Sequence, residues 1–200
     1  MATLDDSVDE YLSQVFKQQD FHESQIVAKE FDGCTFSECD LSGTELIDCK
    51  FVDCLFVKSN LSNIKLDETH FLGVAFEESK VIGVDWTNAS WPRVPLHAPI
   101  KFHSCIINDS SFNGLSLSEI TIEECKAHDV DFRYGDFSEA NFRYTDFSNS
   151  LFSKTNLTGA DFSEASNYNI DVYLNELKQA KFSRFEAVSL LETLGIELVD

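Results

Sequence analysis

Every fifth residue from Phe21 to Leu96 is apolar, a run of 16 positions that includes Phe31, Phe36, Phe51, Phe56, Phe71, Phe76 and Trp86. In a chain that is 43% hydrophobic, such a run arises by chance with a probability on the order of one in a million, so it is read as an internal repeat. The register then slips by one residue and resumes at Phe102, holding through Phe112, Phe132, Phe137, Phe142, Phe147 and Phe152 to Phe162. Fifteen of the 18 phenylalanines lie in these two series, and Phe16 extends the first one backwards. A period of five fits neither the 3.6 residues of a helical turn nor the two-residue alternation of a strand.

The position two before each apolar centre supplies the missing geometry. It holds mostly small residues: Cys34, Cys39, Thr44, Cys49, Cys54 and Ser59 early, then Cys105, Ser110, Cys125, Gly135, Ala140, Thr145 and Ala160. Residues two apart in an extended segment point to the same side. Each unit therefore sends one small and one large side chain inward and then turns a corner. Four such sides close a coil of about 20 residues, and coils stacked about 4.8 Å apart satisfy one another's backbone hydrogen bonds. The expected fold is an all-β solenoid.

The units Gly135-Asp136-Phe137-Ser138, Ala140-Asn141-Phe142 and Ala160-Asp161-Phe162-Ser163 resemble the A(D/N)LXX repeat of the pentapeptide-repeat family. Val130-Asp131-Phe132 departs from it by placing Val at the small position. The resemblance covers about Phe16 to Ala165 and implies a right-handed quadrilateral parallel β-helix, here assigned to residues 16–182.

Both ends of a solenoid need cover. Leu4, Val8, Tyr11, Leu12 and Val15 follow helical spacing with Thr3 as N-cap, so residues 1–15 are expected to form a capping α-helix. Residues 183–200 are expected to form a second helix and a tail. There Ser183 and Glu186 fit a capping box, Phe185, Val188, Leu191 and Leu194 share one face, and Gly195 supplies the stop. The segment Leu190 to Ile196 is similar to the C-terminus of the quinolone-resistance (Qnr-type) and microcin-immunity branches of the family. In those relatives it makes a two-fold dimer contact. The resemblance thus implies a homodimer through Phe185, Val188, Leu191 and Leu194; the alternative is that this face only plugs the last coil. Pro92, Pro95 and Pro99 coincide with the register slip near 92–101. Proline resists a regular rung, so a kinked corner is expected there, with Trp91, Arg93 and His97 as a candidate contact patch.

The residues offer no catalytic chemistry. All six cysteines fall at the small inward position, where a free thiol serves as a compact buried group rather than a ligand. His22, His70, His97, His103 and His128 form no metal-binding helical pair, and no nucleophile elbow or phosphate-cradling loop is present. No catalytic, cofactor-binding or metal residue is assigned, and an enzyme is not expected.

Charge is the main functional signal. The chain carries 35 acidic residues against 15 Lys and Arg, a formal charge of -20, which argues against direct binding of nucleic acid or anionic membrane. No apolar run approaches the roughly 20 residues that cross a bilayer. Met1 to Tyr11 holds Asp5, Asp6, Asp9 and Glu10, the opposite of a basic leader, so a cytoplasmic location is expected. Residues 16 to 165 hold 25 acidic and 12 basic residues. Spread over a rod of about 36 Å, that is one net negative charge per ~2.8 Å, against ~1.7 Å for duplex DNA. Several relatives act as duplex mimics on DNA gyrase or topoisomerase IV and shield them from quinolones or peptide toxins. The resemblance therefore implies a non-catalytic DNA mimic with outward carboxylates such as Asp40, Glu45, Asp131, Asp136, Asp146 and Asp161 on the binding surface. A structural or adaptor scaffold for another protein is the alternative.

Overall fold

The structure, a computed structural model, describes residues 4–5, 7–92 and 98–196. It is a parallel β-solenoid of about eight turns with almost no helix. Four faces repeat along the rod. On face one, Glu10–Leu12, Glu30–Asp32, Lys50–Val52 and His70–Leu72 pair in register. Face two follows with six strands, Val15–Lys17, Thr35–Ser37, Leu55–Val57, Val74–Glu77, Ile100–His103 and Thr121–Glu123. Face three is a ladder of single bridges through Asp20, Asp40, Asn60, Lys80, Ile106, Lys126 and Asp146. Face four begins with Gln25–Val27, Glu45–Ile47 and Lys65–Asp67 and continues by bridges through Asp85, Ser111, Asp131 and Leu151.

The apolar centres fill the tube. Phe36 stacks on Phe16 and Phe56 at 4.8 and 4.6 Å, and Phe132 lies between Phe112 and Phe152 at 5.4 and 5.0 Å. The small inward position is not only small. Its hydroxyl or thiol donates to the carbonyl of an apolar centre one coil back: Thr44 to Phe21, Cys54 to Phe31, Ser59 to Phe36 and Thr145 to Ile122. Several also accept from the backbone N–H of the small position in the neighbouring coil, as Ser59 does from Cys39 and Thr145 from Cys125. These side chains thus answer backbone groups at each side's entry that the strand ladder leaves open, which buried peptide groups require. The six cysteines are buried with free thiols. Burial pushes Cys54 up to about 12 and Cys125 well above its ordinary value.

Corners are made by backbone rather than by special residues. The residue two beyond most apolar centres is left-handed, with φ between +48° and +63° at Glu78, Asp53, Tyr134 and Gln179 among others. Such φ values cost a non-glycine residue roughly 1–2 kcal/mol. The stacked sides on either flank hold them in place.

Two expectations about the periphery are corrected. The described residues between 4 and 15 form no helix: Glu10–Leu12 and Val15–Lys17 are strands. The helical spacing of Leu4, Val8, Tyr11, Leu12 and Val15 loses because Tyr11 and Phe16 also continue the five-residue register. Tyr11 stacks on Phe31 at 5.2 Å, a contact that no isolated helix could match. Leu4 and Val8 still pack against the core as cover for the first coil. Thr3 lies outside the described residues.

The register slip is also larger than one residue. Val74 pairs Ile100 and Phe76 pairs Phe102, so this coil holds 26 residues where its neighbours hold 20. A five-residue period reports an insertion only modulo five, so six extra residues look like one. Leu96, which the five-residue count places in the first series, lies outside the described residues. At the C-terminal end the solenoid closes with Asp161–Phe162 paired to Lys181–Phe182. The helix there is short, Val188–Glu192, and its N-cap is Ala187 with no side-chain bond. The Ser183 capping box does not form, because the Ser183 hydroxyl bonds the Glu164 backbone N–H and carboxylate instead, at 2.7 and 3.0 Å. Gly195 does take the left-handed conformation expected of a helix stop, with φ +68°.

Candidate partner-binding surface

The six carboxylates singled out from the sequence do not converge. Asp40 and Asp146 lie on face three, Glu45 and Asp131 on face four, Asp136 on face one and Asp161 on face two. All six are partly buried. Their common position, one before the apolar centre, gives most of them a structural task. Asp40, Asp131, Asp136, Asp146 and Asp161 each accept a hydrogen bond from the backbone N–H two residues on, at 2.9 to 3.1 Å. That is the local turn favoured by Asp and Asn.

Three are also neutralised by a neighbour: Glu45 bonds Lys65 at 2.6 Å, Asp131 bonds Arg133 at 2.8 Å and Asp161 meets Lys181 at 3.4 Å. Asp146 lies 2.9 Å from the His128 ring. The acidities follow. Burial would raise Asp146, but hydrogen bonds from Asn167, Ser148 and His128 outweigh it and bring the carboxyl down to about 2. The Lys65 ammonium and Gln25 amide hold Glu45 below the ordinary carboxylate range. The Ser42 hydroxyl does the same for Asp40.

The free negative charge sits elsewhere, at the left-handed corners. Asp48, Asp53, Glu68, Asp109, Glu119, Asp129 and Glu139 are exposed and have no side-chain partner among the described residues. Asp109 and Asp129 stand one coil apart on one corner, and Glu119 and Glu139 one coil apart on another. Sequence reasoning passed over them. Their signal was available as a constant offset of two beyond each apolar centre, an outward position where a side chain meets solvent unless a neighbouring coil supplies a partner, as Lys58 does for Glu78.

The predicted contact corner resolves differently. Trp91 is partly buried: its indole donates to the Trp86 carbonyl at 2.9 Å and its ring lies 6.2 Å from Phe71. It continues the face-one column of rings next to Phe71. Arg93 and His97 lie outside the described residues. At the C-terminus, Leu177, Phe182 and Leu190 pack against the core. Phe185 is 90% exposed, and Val188, Leu191, Leu194 and Ile196 are 36 to 48% exposed. The plug and the outward apolar face are therefore different residues.

Among the described residues no group of three or more His, Cys, Asp and Glu side chains is placed to hold a metal ion, and no helix is long and apolar enough to cross a membrane. A surface groove of about 520 Å³ is lined by Tyr134, Asp136, Lys154, Asn156, Tyr173 and Glu176 with their neighbours, and contains neither cysteine nor histidine.

A family model described as pentapeptide repeat region matches residues 29–99 and 86–162. No curated protein matches in sequence. Among solved structures, trypsin-treated QnrB1, a plasmid-mediated fluoroquinolone resistance protein, aligns with TM-score 0.61 at 21% identity, over 95% of this chain and 97% of its own. Full-length QnrB1 aligns with TM-score 0.58 at 20% identity, over 94% of this chain and 100% of its own. HetL, a pentapeptide repeat protein involved in heterocyst differentiation regulation in the cyanobacterium Nostoc, gives TM-score 0.59 at 12% identity, over 86% of each chain. At these identities the likeness is one of fold.

Proposed function

This chain belongs to the pentapeptide-repeat family, and from that premise we propose that it is a non-catalytic polyanionic rod that occupies the duplex-binding groove of a type II topoisomerase, DNA gyrase or topoisomerase IV, in place of DNA. The observation that carries this reading is the set of unpartnered corner carboxylates. They lie on several corners of the rod rather than along one stripe, and duplex DNA likewise presents phosphates around its circumference. A basic groove built for duplex attracts such an object with a steering force that weakens as salt rises. The likeness in shape to QnrB1 over nearly the whole of both chains supports the reading. The exposed face of Phe185, Val188, Leu191 and Leu194 supports a homodimer, which would double the rod. Acting by occupancy, the protein modulates the topoisomerase or protects it from quinolones or peptide toxins in the cytoplasm.

The test is supercoiling by purified gyrase, titrated with this protein with and without a fluoroquinolone. The quadruple variant Asp109→Asn, Glu119→Gln, Asp129→Asn, Glu139→Gln is expected to need about tenfold more protein for the same effect. Neutralising the turn-bound Asp136 by Asn is expected to leave potency within about twofold. Equal potency of the quadruple variant would remove the corner carboxylates from the account. No effect of the wild type on either topoisomerase would remove the partner.

A further inference from the structure

The corner between faces one and two is apolar along the N-terminal half of the rod. Leu12, Val52 and Leu72 occupy one outward column, interrupted by Asp32, and Val15, Leu55 and Ala75 occupy the next, interrupted by Thr35. Leu12, Val15 and Leu72 are 63, 55 and 50% exposed. Between the two columns the corner itself carries Ser13, Gly33, Asp53 and Gly73, so little side chain stands over the stripe. The six extra residues of the long coil fall between Ser90 on face one and Ile100 on face two, at this same corner, where Pro92 is exposed one coil below Leu72. The diagonally opposite corner is polar over the same coils, with Ser42, Asn63, Gln25, Glu45 and Asp85, and Ile82 half-buried.

Glu10, Asp32, Asp53 and Glu77 border the stripe with no side-chain hydrogen bond or close ion pair among the described residues; Lys50 attracts Glu10 and Asp32 only through space. The lysines that border it are already paired: Lys17 with Glu38, Lys50 with Glu30 and Lys58 with Glu78. Lys101 lies just past its lower end.

We propose that this edge is a docking site for a basic amphipathic helix of a partner protein, on the N-terminal half of the corner that carries Glu119 and Glu139 farther along the rod. The acidic rim excludes two rivals. A second copy set face to face by two-fold symmetry would bring this acidic rim against an identical acidic rim, and an anionic lipid surface would be repelled. A helix with Lys or Arg flanking its apolar seam meets both features at once. The length follows from the coil rise. Leu12 and Leu72 are three coils apart, about 14 Å at 4.8 Å per coil, which spans roughly ten residues of helix at 1.5 Å each.

A fluorescein-labelled peptide of about 14 residues, with leucines at alternating three- and four-residue spacing and lysines elsewhere, is the probe. Its control has the same composition with the leucines spread around the helix. The seam peptide is expected to bind at least tenfold more tightly than the control. Leu72→Lys and Leu12→Lys are each expected to weaken it about tenfold, and Ile82→Lys on the opposite edge to leave it unchanged. All three sites lie on the outer surface, and matching thermal melts confirm that the variants fold. Equal binding of the two peptides, an equal loss with Ile82→Lys, or insensitivity to Leu72→Lys would overturn the proposal. So would a concentration-dependent dimer that Leu72→Lys abolishes, because the occupant would then be a second copy.

Discussion

Replacing Thr145 by valine tests why the small inward position is so often polar. The two side chains have nearly the same shape, so packing is conserved while two hydrogen bonds disappear. Thr145 is fully buried; its hydroxyl donates to the Ile122 carbonyl at 2.8 Å and accepts from the Cys125 N–H at 3.1 Å. Valine leaves that carbonyl and that N–H without partners in a dry tube. An orphaned buried group costs about 1–3 kcal/mol, so two cost roughly 2–6, partly offset by valine's greater hydrophobicity. A net loss of about 3 kcal/mol is expected, which for a chain of this size lowers Tm by roughly 6–12 °C. The assay is a thermal melt followed by circular dichroism, with a urea titration to confirm an unchanged m value. Thr145→Ser keeps both bonds and gives up one methyl group, so its loss should stay near 1 kcal/mol. If valine melts within about a degree of wild type and serine melts lower, the position selects for size alone and the hydrogen-bond argument fails.

Phe132→Ala should be the more damaging change, by about 3–5 kcal/mol, because it opens a void between Phe112 and Phe152; the exposed Tyr134→Ala, two residues away, should change stability little in the same melt. Gly114→Ala places a β-carbon in open space at φ +71°, so it should cost roughly 1–2 kcal/mol from backbone strain alone, read as a shift in urea midpoint. Asp146 has a folded value of about 2 against an ordinary 3.8. Its stabilisation is therefore complete above about pH 4 and lost as pH falls towards 2; melts across that window should steepen in the wild type relative to Asp146→Asn. The six buried thiols should be silent to a thiol-reactive dye in the native protein and all react in denaturant; fast native labelling would contradict their burial.

The coil was legible because a five-residue period leaves few architectures that bury one large and one small side chain per side. What remained hidden has identifiable causes. Residues 4–15 satisfied two patterns at once, and the stacking of Tyr11 on Phe31 selected the strand. The insertion between Trp91 and Phe102 was undersized because counting by five cannot distinguish one extra residue from six. Position in the unit showed that Asp40, Asp131 and Asp161 face outward, but not that each accepts a turn N–H, nor that Arg133 and Lys181 neutralise two of them. That pairing arises between a carboxylate and a base in the same turn or one coil away, which a linear reading for charge density overlooks. The exposed carboxylates that remain, such as Asp109 and Glu139, recur at a fixed offset of two beyond an apolar centre, and the left-handed backbone there is the reason that position faces solvent.

The most direct measurement is displacement of a fluorescent duplex of about 30 base pairs from purified gyrase by this protein, at low and at physiological salt. The account predicts displacement at micromolar protein, weakened at least tenfold by the higher salt and by neutralising Asp109, Glu119, Asp129 and Glu139. Duplex that stays bound at every protein concentration, or that is displaced equally at both salts, would contradict it.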